Sequence, residues 1–183
     1  IQAWYPGGVG GLAIAELIAG KYSPSGRLPL TFYYGDAPLP DFTDYSMKGR
    51  TYRFIETEPL YPFGYGLSYA SFEYSGARAE AKDGNTVMHV TVKNTGKVPG
   101  AETVQVYAKY TDSRCVTPNC QLCGIRKVFL EPGESREVEI ETDGYWLKAV
   151  NNEGKRIEPD GEIILYVGGH QPDPLSEKLS GSK

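Results

Sequence analysis

The chain has 183 residues, of which 40% are hydrophobic and 12% aromatic, enough apolar mass for a packed core and too much for a disordered segment. A formal charge of −4 and a pI near 5.3 exclude the basic patch of a nucleic-acid-binding surface. No apolar run approaches the ~20 residues of a membrane span, so no membrane partner is expected.

In chain order, Ile1-Gln2-Ala3-Trp4 shows neither an initiator Met nor a charged leader, and it reads as a cut inside a longer protein. Residues 10–20 read as a short helix in which Leu12, Ile14, Ala15, Leu17 and Ile18 are apolar on most sides and Gly20 is the stop. Its glycine-rich entry, Pro6 to Gly11, resembles a phosphate-cradling loop, but the spacing fits neither a Walker A motif nor a dinucleotide fingerprint. Close backbone packing explains these glycines better. One helix cannot form a layer alone, so a sheet supplied by preceding chain is expected beneath it.

Residues 36–69 carry Pro38, Pro40, Pro59 and Pro62 among many aromatic residues and show no periodicity. Proline lowers unfolded-state entropy and aromatic rings bury large areas, so this stretch is expected to be an ordered strap between two domains. From about residue 70 the pattern changes to period two. Met88, Val90 and Val92 alternate with His89, Thr91 and Lys93, and Val104, Val106, Ala108 and Tyr110 oppose Thr103, Gln105, Tyr107 and Lys109. Ile125 to Leu130, Val138 with Ile140, and Ile163, Leu165 and Val167 continue the series, punctuated by Asn94-Thr95-Gly96, Pro132-Gly133 and Pro159-Asp160-Gly161. Short strands at this spacing predict a mainly β protein built on a two-sheet sandwich over 70–171. Residues 172–183, apolar only at Leu175 and Leu179, are expected to be a frayed tail.

Cys115, Cys120 and Cys123 have a C-x4-C-x2-C spacing but lack the fourth ligand of an iron–sulfur site, and nothing near them completes a zinc site. Free thiols are expected, with a disulfide or a redox role left open. The odd cysteine count and the absence of any Asn-x-Ser/Thr sequon lean toward a bacterial cytoplasmic location. No metal site and no cofactor is implied.

Three segments carry a family resemblance: Trp4-Tyr5-Pro6-Gly7 with Pro24-Ser25-Gly26-Arg27-Leu28-Pro29-Leu30-Thr31, then Arg50-Thr51-Tyr52-Arg53-Phe54, then Leu60-Tyr61-Pro62-Phe63-Gly64-Tyr65-Gly66-Leu67-Ser68-Tyr69. Together they resemble the C-terminal part of glycoside hydrolase family 3, the β-glucosidases and β-xylosidases. Glu102 to Tyr107 and Leu130 to Glu134 are similar to the fibronectin type III-like domain that ends many members. The resemblance implies that residues 1–35 end an α/β sandwich domain, that 36–69 form the strap, and that 70–171 form the β-sandwich. It also implies that the nucleophilic Asp, on an N-terminal barrel, and the acid/base Glu lie upstream, so no catalytic residue is assigned here. Where the family often has Phe after Pro-x-x-Leu-x-Gly, this chain has Ile125.

Retaining glycoside hydrolysis needs two carboxyl groups about 5–5.5 Å apart. Within the chain, Asp41 with Asp44 and Glu56 with Glu58 are the nearest candidates, and both pairs read as solvated turn-formers. Arg50, Tyr52 and Arg53 are the candidate substrate-binding residues, because guanidinium forks bind hydroxyl-rich partners and aromatic rings stack on sugar faces. The competing reading is that the arginines cap carbonyls or pair with Asp41 or Asp44. The expected function is a non-catalytic segment that stabilises and positions the catalytic domains of a retaining β-xylosidase or β-glucosidase. Those domains are its expected partners, and a β-linked oligosaccharide is the parent's substrate. A carbohydrate-binding module with Trp146 beside Tyr145 or Tyr107, or an oligomerisation module, is the alternative.

Overall fold

A computed structural model of the chain describes residues 1–35, 40–111 and 113–181. Pro38, at the start of the expected strap, and the last two tail positions lie outside the described residues. Among the described residues eight strands dominate: β1 (Phe72–Lys82), β2 (Asn85–Asn94), β3 (Gly100–Tyr110), β4 (Gln121–Leu130), β5 (Ser135–Thr142), β6 (Ala149–Val150), β7 (Arg156–Ile157) and β8 (Ile163–Gly168). Three short helices accompany them: α1 (Gly10–Ile18), α2 (Thr51–Phe54) and α3 (Pro174–Ser180). No helix among the described residues is long and apolar enough to cross a membrane.

Two three-stranded antiparallel sheets, ordered β1-β2-β5 and β4-β3-β8, face each other, and β6-β7 form a separate ribbon. The alternation expected from sequence sets the core. Met88, Val90 and Val92 with Val138 and Ile140 pack against Val104, Val106, Val128 and Leu130. Apolar burial at about 25 cal/mol per Å² makes this cluster the main stabilising element of the sandwich. At the β4–β5 corner, Glu134 N–H donates to Glu131 O across Pro132-Gly133 at 2.9 Å.

The second sheet departs from a one-sided pattern. Tyr107 is 0% exposed and Gln105 1%, although both alternate out of phase with the core valines. The outer face of β3 is covered by residues of the first 70. Thr103 Oγ1 donates to Ser25 O at 2.8 Å, and Gln105 Nε2 donates to Gly64 O at 3.0 Å. Glu137, Glu139 and Glu141 lie on the other sheet and face outward.

One further expectation is corrected. The tail is not frayed at 174–180: Asp173 caps α3, accepting from Leu175 N–H and Ser176 N–H at 3.0 Å, Pro174 opens it, and Leu175 and Ser176 are buried. Gly144–Leu147 form a 3-10 turn that leaves Tyr145 and Trp146 half-exposed. α1 ends as expected, since Gly20 N–H donates to Leu17 O and Lys21 N–H to Glu16 O at 3.0 Å each, a Schellman pair. Among the described residues no sheet covers α1: Leu12 and Ile18 are 62% and 65% exposed, and only Gly10 is buried. Close packing explains Gly10, whose Cβ would sit 2.2 Å from Pro6 Cβ, but Gly8 and Gly11 face open space.

Candidate functional site

A buried polar junction joins the first 70 residues to the sandwich. Arg27 Nη2 donates to Glu102 Oε2 at 2.8 Å, and the two side chains are 8% and 3% exposed. Arg27 Nε donates to Gly169 O at 2.9 Å, and Tyr74 Oη donates to the second carboxylate oxygen of Glu102 at 2.7 Å. Burial, then the negative charge of Glu102, pushes the Tyr74 hydroxyl far above its ordinary range, so it remains a donor. The unit joins the segment before the strap, strand β1, strand β3 and the end of β8. A buried charge is tolerated only when paired and hydrogen-bonded, and here both conditions hold.

Gln105 extends the junction. Its amide donates to Gly64 O and to Gly169 O, and Tyr107 Oη donates to its Oε1 at 2.6 Å. Gly64 lies at φ +78°, and a Cβ there would stand 2.3 Å from Tyr107 Oη. Only glycine lets the strap approach this closely. Ser23 adds contacts, its Oγ 2.7 Å from Ser68 Oγ and accepting from Tyr69 N–H at 2.9 Å.

The structure places the candidate substrate-binding residues on and beside α2. Tyr52 stacks on Phe63 with centroids 4.1 Å apart, meets Tyr107 edge-on at 6.4 Å, and accepts a hydrogen bond from Leu122 N–H at 3.1 Å. Arg50 Nη2 caps Asp44 O, a backbone carbonyl, and does not pair with the Asp44 carboxylate. The Arg53 carbonyl accepts from Asn119 N–H at 2.6 Å, while its guanidinium makes no hydrogen bond or ion pair among the described residues. Between Arg50 and Tyr52, Thr51 sits at φ +55°, an outlier for a β-branched residue. Tyr33 Oη accepts from Thr51 N–H at 2.6 Å, which holds the strained turn in place.

The four candidate carboxylates, Asp41, Asp44, Glu56 and Glu58, are exposed. Asp41 is held below its ordinary range by hydrogen bonds from the Thr43 hydroxyl and amide, and Asp44 by Ser46, chiefly its amide. These are turn-forming interactions that favour the ionised form, the opposite of a general acid's requirement. Glu56 lies 3.8 Å from Lys48 at the surface. Cys115, Cys120 and Cys123 are free thiols; burial pushes Cys120 up to about 12 and Cys123 up to about 11, which keeps both protonated and unreactive. In the aromatic pair, Arg156 covers the Tyr145 ring at 4.0 Å and Trp146 meets Tyr145 edge-on at 5.2 Å. Tyr107, fully buried, cannot join that platform.

Sequence reasoning missed the Arg27–Glu102 pair. The signal was present: Glu102 falls in phase with Val104 and Val106, so an acid was committed to the inward face of β3. The partner was not legible, because Arg27 lies 75 residues away.

Residues 1–69 match the model of the glycosyl hydrolase family 3 C-terminal domain, and residues 102–171 match that of the fibronectin type III-like domain. A xylan 1,4-beta-xylosidase of Xylanibacter ruminicola is 50% identical over 172 residues, which are 91% of this chain and 20% of the relative. A periplasmic beta-glucosidase of Salmonella typhimurium is 34% identical over 184 residues, 92% of this chain and 24% of the relative. Among solved structures, DesR, a beta-glucosidase from Streptomyces venezuelae in complex with D-glucose, superposes with a TM-score of 0.83 at 30% identity, covering 93% of this chain and 24% of that one. Beta-glucosidase 3B from Thermotoga neapolitana in complex with glucose does so with a TM-score of 0.78 at 33% identity, covering 90% and 25%. The chain thus spans about a fifth to a quarter of the length of these relatives.

Proposed function

For a chain that belongs to glycoside hydrolase family 3, carrying its C-terminal domain followed by a fibronectin type III-like domain, we propose a non-catalytic role: to stabilise and position the catalytic domains of a longer β-glycosidase. The apolar face of α1 carries this reading. Leu12, Ala15 and Ile18 share an exposed face, while Tyr22 Oη donates to Ala13 O at 2.9 Å and Tyr69 Oη to Leu17 O at 3.1 Å, tying the helix back to the strap. A helix fixed on one side and apolar on the other is built to receive a sheet. The Arg27–Glu102 junction then makes the sandwich a brace for that contact.

The parent reaction in this reading is retaining hydrolysis of a terminal β-linked sugar, with both carboxyl groups supplied by the preceding domains. Identity of 50% to a xylan 1,4-beta-xylosidase, against 34% to a beta-glucosidase, favours a β-xyloside. Of the trio Arg50, Tyr52 and Arg53, Arg53 is the residue free to reach a substrate hydroxyl, and the strained Thr51 beside it supports a functional turn.

The test is hydrolysis of aryl β-xyloside and aryl β-glucoside by the purified chain, free of other polypeptides. The expected rate is that of buffer alone. Turnover abolished by Asp44→Asn or Glu56→Gln would place the chemistry inside this chain and end the accessory reading.

A further inference from the structure

The outer face of sheet β1-β2-β5 holds a second arrangement of chemically active side chains, remote from the strap. His89, on the central strand, is 8% exposed, and neither ring nitrogen has a hydrogen-bond partner. A buried imidazole left in this state loses the hydration of both nitrogens without replacement. Carboxylates flank it: Glu139 Oε1 lies 3.5 Å from Nδ1, and Glu80 Oε2 lies 3.6 Å from Nε2. The register explains the placement, since His89 pairs with Glu139 and Thr91 with Glu137 across β2–β5. Single donor atoms of His89, Glu137 and Glu139 fall within 4.8 Å of one another.

We propose that His89, Glu137 and Glu139 form a site for a divalent transition cation of the Zn²⁺ type, with Glu80 orienting the imidazole from behind. One imidazole and two carboxylates suit Zn²⁺, which takes N and O ligands at about 2.0–2.2 Å and completes its shell with water. Ligands at that range stand about 3.3 Å apart in a tetrahedron. The two glutamates are exposed and rotamer-rich, so closing the gap needs side-chain rotation only. Glu80 sits where an orienting carboxylate belongs: a proton held on Nε2 facing Glu80 leaves the Nδ1 lone pair toward Glu139.

One feature of the sheet opposes the ion. Arg78, whose strand carries a bulge between Ser75 and Arg78, pairs in register with His89 and reaches across β2 to Glu137 at 2.6 Å. Zn²⁺ must displace this guanidinium. The opposition makes the proposal specific, because removing Arg78 strengthens a real site and leaves adsorption to scattered surface acids nearly unchanged.

The experiment is a Zn²⁺ titration of the full chain, followed by calorimetry and by ¹⁵N–¹H spectra of the histidine rings, with the Cys115 thiol, the one not held inert by burial, alkylated beforehand. His170 is the internal control. The expected result is one equivalent bound, with the Nδ1 resonance of His89 shifted and His170 unmoved. His89→Gln and Glu139→Gln should each weaken binding at least tenfold, Glu80→Gln roughly tenfold, and Arg78→Gln should tighten it. Binding that leaves the His89 ring resonances unmoved would overturn the site. So would an affinity that both His89→Gln and Glu139→Gln leave unchanged, or no heat at millimolar Zn²⁺.

Discussion

Replacing Arg27 with methionine removes a cation from a carboxylate that is 3% exposed while keeping most of the aliphatic volume. Glu102 then keeps one hydrogen bond, from Tyr74, and has no counter-charge. Breaking a buried pair by removing one partner costs about 3–5 kcal/mol. Losing the Arg27–Gly169 hydrogen bond adds little, because Gly169 O still accepts from Gln105. Against a total stability of about 5–15 kcal/mol, the loss is large enough to shift a urea midpoint plainly. The second arm is Arg27→Met with Glu102→Gln, in which glutamine still accepts from Tyr74 and no charge is buried; it should recover more than half the loss. Urea denaturation of the three proteins, followed by far-UV circular dichroism, measures both differences. A loss under about 1 kcal/mol, or a double variant no better than the single, would refute the junction as the element joining the family 3 segment to the sandwich.

Two further outcomes follow from the same contacts. Gly64→Ala places a Cβ 2.3 Å from Tyr107 Oη at φ +78°, so left-handed strain of about 1–2 kcal/mol and a disturbed hydrogen bond of about 1 kcal/mol should lower Tm by several degrees; an unchanged Tm in calorimetry would contradict the close approach of strap and β3. Alkaline stability is the other. Cys120 and Cys123 are raised by burial from an ordinary 9.0 to about 12 and about 11, and Tyr74 and Tyr107 are raised in the same sense. The folded chain holds these protons after the unfolded chain has released them. Their contribution is therefore complete below pH about 9 and declines as pH rises, by up to about 1.4 kcal/mol per pH unit per group. The urea midpoint should fall between pH about 8 and 10.5, with Cys120→Ala flattening the first part; a midpoint constant over that range would show that these groups are not buried.

The family, the β-sandwich and the strand series from Met88 to Val167 were legible in the sequence, because period-two alternation and turn residues act locally and a few specific segments carry the family's pattern. The Asp173-Pro174 start of α3 was also written locally, as an N-cap followed by proline, but the low apolar content around it masked the signal. Three features were decided only by the tertiary structure. The burial of Gln105 and Tyr107 came from a strap that supplies partners to an otherwise outward face. Arg27 and Glu102, 75 residues apart, met because the segment before that strap folds onto β3 and the end of β8. The Arg78, His89 and Glu139 row exists only through the register of three strands. Alternation tells which face a residue takes. What covers that face, and which charge lies across from it, depends on long-range pairing that no local pattern encodes.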